Sequence, residues 1–109
     1  MENIIYHLIS LQEWESVQNQ KEYSPHSLKA EGFIHLSTKD ELLKSADQFF
    51  SGHQSLVVLE VHIDHDPHLK WDYVESRKAD FPHYYAPLPL SRVANTFEIH
   101  RNPAGSFQF

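Results

Sequence analysis

At 109 residues, of which 40% are hydrophobic, the chain suggests one globular domain that can bury a core of its own. It has no cysteine, which excludes disulfides, thiolate zinc sites and a cysteine nucleophile. It has neither an apolar run long enough to cross a bilayer nor a signal-peptide layout, so we expect a cytoplasmic protein without a membrane partner. The formal net charge of −6 argues against broad binding to a nucleic-acid backbone, although it leaves room for a pocket that takes one nucleotide.

The N-terminal region predicts a strand followed by a helix. Residues 4–9 are mostly apolar and rich in isoleucine, which favours a buried strand. Ser10 with Glu13 three residues later is a capping-box pattern, so a helix is expected to run to about Gln20. Its inward-facing side chains are predicted to be Leu11, Trp14 and Val17.

Two further helices are expected before the middle of the chain. Ser24 as the N-cap and Pro25 at the first helical position predict a short helix that Gly32 closes. A second capping-box pattern at Thr38–Glu41 predicts a helix to about Ser51. The apolar stripe of that helix is Leu42, Leu43, Ala46, Phe49 and Phe50.

Strand patterns fill the second half of the chain. The near-continuous apolar run at residues 56–63 predicts a strand buried on both faces, and residues 70–74 and 93–100 predict two more. Three prolines in residues 81–90 favour an ordered loop with a short strand, and residues 106–109 an edge segment. Helices early and strands late predict an α+β fold, with a small split or mixed sheet and two to three short helices in the N-terminal half.

The segment Gly32–Ser37 is the centre of the functional prediction. Successive side chains of a strand point to opposite faces, so Phe33, His35 and Ser37 are expected to share one face and Ile34 and Leu36 to enter a core. An unpaired buried polar group costs about 1–3 kcal/mol, so a histidine and a serine on a central strand need a partner or a ligand.

His7 and His35 are the first candidates for chemistry, because each sits within an apolar strand. Two such strands can line one cleft, where a histidine donates to a ribose hydroxyl or a phosphate oxygen, or acts as an acid or base. The alternative is that each is a core-edge histidine bonded to backbone. The pair together with Ser37 favours the functional interpretation.

Two other segments carry histidines. Residues 62–68 form the densest set of imidazoles and carboxylates, although Pro67 excludes a helical zinc motif and a solvated loop is the better interpretation. In residues 81–85, His83 stands among aromatic rings that can stack on a base or simply close the core.

Several short motifs occur together in this chain. They are Tyr6-His7-Leu8, Trp14, Tyr23-Ser24-Pro25, Ser27-Leu28, Glu31 to Ser37, Phe81-Pro82-His83-Tyr84-Tyr85 and Pro87-Leu88. The combination resembles a family of small bacterial proteins, the domain of unknown function 952 family, over nearly the whole chain. That family is similar in fold to the ADP-ribosyltransferases, among them the RNA 2'-phosphotransferases, which hold NAD or an ADP-ribosylated intermediate in a cleft between two small sheets.

The resemblance implies a role for each candidate. His7 matches a first-strand histidine that bonds a ribose of NAD, and His35 with Ser37 looks like a second-strand motif that orients the sugar or a phosphate. His83, Tyr84 or Tyr85 would stack on, or hydrogen-bond near, the leaving base. The implied catalytic residues are His7, His35 and His83; the implied nucleotide-binding residues are these three with Ser37, Tyr84 and Tyr85, and no metal ligand is implied.

Three functions stay open from the sequence. The first is an ADP-ribosyltransferase-like domain that binds NAD or a related small nucleotide and, if catalytic, transfers or hydrolyses ADP-ribose. The second is a non-catalytic accessory domain that keeps the cleft, because the segment matching the third motif has no glutamate. The third and weaker one is a metal-dependent enzyme that uses residues 62–68. The oligomeric state is not indicated by the sequence.

Overall fold

A computed structural model describes residues 4–109 of the chain, which form three α-helices and nine β-strands. The helices are α1 (Leu11–Val17), α2 (His26–Glu31) and α3 (Lys39–Phe49). The strands are β1 (Ile4–Ile9), β2 (Glu22–Tyr23), β3 (Ile34–His35), β4 (Ser55–His62), β5 (Leu69–Val74), β6 (Ala79–Tyr84), β7 (Leu88–Pro89), β8 (Val93–Arg101) and β9 (Phe107–Gln108). A 3₁₀ turn at Leu90–Arg92 precedes β8.

The main sheet has four antiparallel strands in the order β1-β4-β8-β9. Its central strand β4 is buried on both faces, as its apolar run predicted. Leu56 and Val58 pack in the cluster that contains α3, whereas Val57, Leu59 and Val61 belong to the cluster on the other face. The two-residue period of a strand thus divides one apolar run between two cores.

The second sheet has three antiparallel strands in the order β3-β6-β5, and a small β2-β7 pair lies apart from it. Segment 34–37 links the second sheet to the main one. The Leu36 amide donates to the Pro82 carbonyl of β6 at 3.1 Å, and Ser37 exchanges two backbone hydrogen bonds of 2.7 and 2.8 Å with Tyr6 of β1. Two adjacent residues of this segment therefore bond to two different sheets.

The α+β class is confirmed, with all three helices between residues 11 and 49. The β-structure is split into separate sheets as expected, but it is not mixed, because every ladder among the described residues is antiparallel. No helix within residues 4–109 has the length and apolar character needed to cross a bilayer.

Two strand predictions need correction. The segment around His35 is a two-residue strand at the edge of its sheet, not a central strand. Residues 81–90 were expected to form an ordered loop with a short strand; residues 81–84 instead belong to β6, the central strand of its sheet, and Leu88–Pro89 form the short strand β7. Pro82 fits in β6 because the N–H and C=O of a strand residue point to the same side. Its carbonyl faces Leu36, so its missing N–H also faces the end of β3, where ladder pairing stops.

All three predicted helices are present, but some of their predicted caps, ends and buried residues differ in the structure. Ser10 caps α1 by accepting from the Glu13 amide at 3.1 Å, but the helix ends at Val17, and Leu11 is exposed where burial was expected. Pro25 is itself the N-cap of α2, with no side-chain cap from Ser24. On α3 the Thr38 cap makes no side-chain bond and, of the predicted stripe, Phe49 is exposed.

Candidate functional site

A cleft of about 890 Å³ opens beside segment 33–37, with walls from all three helices and from β1, β5 and β6. Five of the six predicted site residues line it: His7, His35, Ser37, His83 and Tyr85. The three histidines therefore lie around one space, although they are separated by 28 and 48 positions along the chain. A volume of this size is in the range of small-molecule pockets.

Strand alternation explains which side chains reach the cleft. Phe33, His35 and Ser37 line it while Ile34 and Leu36 are buried in the core, as predicted for a strand. The same alternation applies to β6 and the residue after it. Phe81, His83 and Tyr85 line the cleft, whereas Pro82 and Tyr84 point to the other side.

Tyr84 therefore does not belong to the cleft with its neighbours. Its ring packs in the core and its hydroxyl donates to the Asp66 carboxylate at 2.6 Å. Burial and this carboxylate raise the pKa of Tyr84 to about 12. The side chain is fixed away from the space where a ligand would bind.

His83 is held by a carboxylate that the sequence did not single out. Its Nδ1 lies 2.8 Å from Oδ2 of Asp72, and the Tyr85 hydroxyl donates to the same oxygen. These two hydrogen bonds, that of Tyr85 first, hold the pKa of Asp72 below its ordinary value. Phe33 stacks on the imidazole with 4.2 Å between ring centroids.

His35 lies directly opposite His83 in the β3–β6 ladder, and the two rings are nearly perpendicular with centroids 5.4 Å apart. Unlike His83, the His35 side chain is about half exposed. Its Nε2 lies 2.7 Å from the carboxylate of Glu31, the last residue of α2. His35 is thus a rim residue that a ligand can reach without displacing core side chains.

His7 is buried and has a hydrogen-bond partner at each of its ring nitrogens. Its Nδ1 lies 2.6 Å from the His35 carbonyl oxygen and its Nε2 lies 2.9 Å from the Tyr23 hydroxyl, which in turn donates to Glu13 at 2.8 Å. Burial lowers the pKa of His7 to about 4, so the ring is neutral at pH 7. Burial first, and then the Glu13 carboxylate, raise the pKa of Tyr23.

The hydrogen bonds of His7 determine which of its ring nitrogens carries hydrogen. With His7 neutral and Nδ1–H donating to the His35 carbonyl, its Nε2 is an acceptor. The Tyr23 hydroxyl has one proton to share between that Nε2 and the Glu13 carboxylate. Both ring nitrogens of His7 are therefore engaged by the protein, so His7 shapes the cleft wall and offers no free nitrogen to a ligand.

Ser37 belongs to a cluster of polar side chains that it forms with residues of α3 and with Arg77. Its hydroxyl lies 3.4 Å from the Ser45 hydroxyl, which accepts from Arg77 at 3.1 Å. Arg77 also donates to Gln48, to the Glu41 carbonyl and, at 2.6 Å, to the Glu41 carboxylate. All four terminal N–H bonds of the guanidinium are thereby used within the protein.

Negative charge predominates in the cleft. Glu13, Glu31 and Asp72 line it, whereas among the lining residues the only lysine or arginine is Arg77, whose charge is paired with Glu41. Three exposed aromatic rings, those of Phe49, Tyr73 and Tyr85, also line the cleft. The cleft thus offers carboxylates, imidazoles and aromatic faces.

The histidines of residues 62–68 pair individually with nearby acids. His62 lies 3.2 Å from Glu60, and His68 lies 3.3 Å from Asp66. Within the described part of the chain, no three potential ligands gather in a geometry that would hold a metal ion.

Sequence reasoning missed most of the residues that hold the site together. They are Glu13, Tyr23, Ser45, Asp72 and Arg77. Each holds the site through a partner at least eight positions away, so no local pattern predicts these contacts.

Comparison with known proteins gives a family and similar structures. Residues 8–96 match the family described as Protein of unknown function (DUF952). The crystal structure of protein CC0527 from Caulobacter crescentus is 33% identical with a TM-score of 0.81, over 97% of this chain and 94% of that chain. The solution NMR structure of CC0527 has a TM-score of 0.82, over 96% of this chain and 91% of that chain. No curated protein matches the chain.

Proposed function

The chain belongs to the family described as Protein of unknown function (DUF952), and within that family we propose that its cleft binds NAD or a related ADP-ribose-type nucleotide. The proposal includes an ADP-ribosyltransferase-like fold, in which two small sheets border the nucleotide. The observation that carries it is the meeting of His35, Ser37 and His83 in one cleft of about 890 Å³.

The charge of the cleft supports entry of the nicotinamide end of NAD. The nicotinamide ring of NAD is a cation, whereas its pyrophosphate is an anion. Carboxylates of Glu13, Glu31 and Asp72 line the cleft, and the guanidinium of Arg77 has its terminal donors occupied. Opposite charges favour each other at close range, so the nicotinamide and its ribose lie inside and the pyrophosphate lies towards solvent.

The aromatic rings of the cleft also favour binding of NAD with its nicotinamide inside. Phe33, Tyr73 and Tyr85 line the cleft, and planar cations bind well to aromatic faces. His35 at the rim donates to a ribose hydroxyl or the nearer phosphate. In a catalytic domain, breaking the nicotinamide bond places positive charge on the ribose, which the same carboxylates stabilise.

A second candidate is a binding domain without catalysis. It is favoured by the bonding of the cleft carboxylates: Glu13 accepts from Tyr23, Glu31 contacts His35, and Asp72 accepts from two side chains. One oxygen of each carboxylate is therefore already used within the protein, which leaves a single oxygen of each for a ribose. This candidate predicts nucleotide binding with no release of nicotinamide over hours.

Isothermal titration tests the proposal with NAD, nicotinamide mononucleotide and ADP-ribose. We expect heat with the first two and weaker binding of ADP-ribose, which lacks the cation. His35→Ala should lose affinity while keeping its melting temperature, because the side chain is half exposed. His65→Ala is the matched control, since His65 is exposed and outside the cleft.

Two results would overturn the proposal. One is the absence of both heat and a shift in melting temperature at millimolar NAD. The other is equal loss of affinity in His35→Ala and His65→Ala, which would place the binding outside the cleft.

A further inference from the structure

We infer that Asp72 and His83 form a general-base dyad: Nε2 of His83 removes the proton from an attacking hydroxyl, and Asp72 is the positioning residue. This inference rests on the proposed function and adds to it the residue that activates the nucleophile. Neither the family match nor the sequence motif assigned Asp72 a role.

The hydrogen bonds set the tautomer of His83. An ionised carboxylate only accepts, so the 2.8 Å contact to Oδ2 of Asp72 requires the hydrogen on Nδ1. In the neutral ring the lone pair then lies on Nε2. Among residues 4–109 no side-chain or backbone partner bonds that Nε2, and His83 lines the cleft.

The ring is also held in place. The His83 side chain is only 7% exposed, and Phe33 stacks on it with an interplanar angle of 21°. His35 meets it edge-on, and the Tyr85 hydroxyl donates to the same Asp72 oxygen that contacts His83. A general base needs such fixed geometry, because misplacement of a proton acceptor lowers the rate steeply.

The step balances with water as the nucleophile. The water oxygen forms a bond to the anomeric carbon of the nicotinamide ribose, and the carbon–nitrogen bond breaks. Its electron pair goes to the ring nitrogen, so nicotinamide leaves neutral. The water proton goes to Nε2 of His83, the Asp72 carboxylate stabilises the imidazolium, and the proton then passes to solvent. An acceptor hydroxyl in place of water gives transfer by the same step.

A spectroscopic test needs no activity. Long-range ¹H–¹⁵N NMR at pH 8 reports which nitrogen of His83 carries hydrogen. We expect the Nδ1–H tautomer in the wild type and in Tyr85→Phe, which keeps the Asp72 contact, and its loss in Asp72→Ala. An Nε2–H tautomer in the wild type overturns the dyad whatever the protein binds.

A kinetic test separates the dyad from binding. With NAD, we expect His83→Ala to retain heat in titration while nicotinamide release falls at least about 100-fold, the usual effect of a general base. Added imidazole should restore part of the release. Wild-type binding without any release, or release that His83→Ala leaves unchanged, overturns the dyad but leaves the binding proposal intact. Absence of NAD binding overturns the proposed function itself.

Discussion

The Nδ1 atom of His7 lies 2.6 Å from the backbone carbonyl oxygen of His35, so the side chain of one predicted site residue bonds the main chain of another. This contact joins β1 to β3 beside the place where Ser37 pairs with Tyr6. The other ring nitrogen contacts Tyr23 of β2. His7 therefore connects three strands, and its position in the cleft wall follows from this bonding.

Replacing His7 by alanine is expected to destabilise the fold by about 2–4 kcal/mol, because it leaves a cavity and removes the partner of a buried carbonyl. His7 is 7% exposed and hydrogen-bonded at both nitrogens. Urea unfolding measures the change. His100→Ala, at an exposed position on β8, should stay within about 0.5 kcal/mol of the wild type. Equal stability of the two variants would contradict the structural role.

Stability should fall as the pH is lowered from 6.5 to 4. The pKa of His7 is about 4 in the folded protein and 6.5 as its ordinary value. Between these values the unfolded chain binds a proton that the folded chain does not, so acid favours unfolding. A difference of this size corresponds to about 3 kcal/mol, present in full above pH 6.5. Urea midpoints measured across this range test the expectation.

The two carboxylates with lowered pKa values do not explain such a slope. The stability that Asp66 and Asp72 contribute is lost mostly as the pH falls through and below their ordinary value of 3.8. His7→Gln should flatten the dependence between pH 4 and 6.5. Flat wild-type midpoints, or a His7 Cε1 proton that titrates near 6.5 by NMR, would show that the ring is not held neutral.

Arg77 and Glu41 should show strong coupling in a double-mutant cycle. Their 2.6 Å ion pair joins the turn after β5 to α3, with side chains only 10% and 24% exposed. Charged hydrogen bonds that are partly buried contribute about 1.5–3 kcal/mol, which is the expected coupling energy of Arg77→Ala with Glu41→Ala. The exposed Glu98–His100 pair is the control and should couple by less than about 0.5 kcal/mol. Similar values for both pairs would refute a role for Arg77 in fixing α3.

Phe33→Leu should lower the free energy of unfolding by about 0.5–1.5 kcal/mol, because leucine keeps apolar bulk but loses the stack on His83. Phe49→Leu, at a ring that is 66% exposed, should have almost no effect. Guanidinium unfolding compares them. If the leucine at position 33 costs nothing, the imidazole is not held by its aromatic neighbour.

Local sequence patterns were enough to predict the fold class and the face of a strand to which each side chain points. Alternation placed Ile34 and Leu36 in the core and His35 and Ser37 on the cleft side, and the Ser10 pattern placed the start of α1. These features depend on residues within three positions of each other. Strand patterning predicted that His7 and His35 can line one cleft, whereas the addition of His83 was expected from the family resemblance rather than from any spacing.

The same local rules failed where a distant partner decides the outcome. Pro82 indicates a loop when read alone, but the end of β3 lies opposite its missing N–H and lets β6 continue. Phe49 fits a buried stripe by spacing, yet it faces the cleft opening.

The sequence by itself determined the α+β class, the apolar β4 and the side of each strand on which a histidine lies, because backbone periodicity is local. Only the tertiary structure decided what each imidazole bonds. Asp72 reaches His83 across eleven positions, and Tyr23 reaches His7 across sixteen. Hydrogen bonds act over about 3 Å in space regardless of separation along the chain, so such partners emerge only when the strands pair.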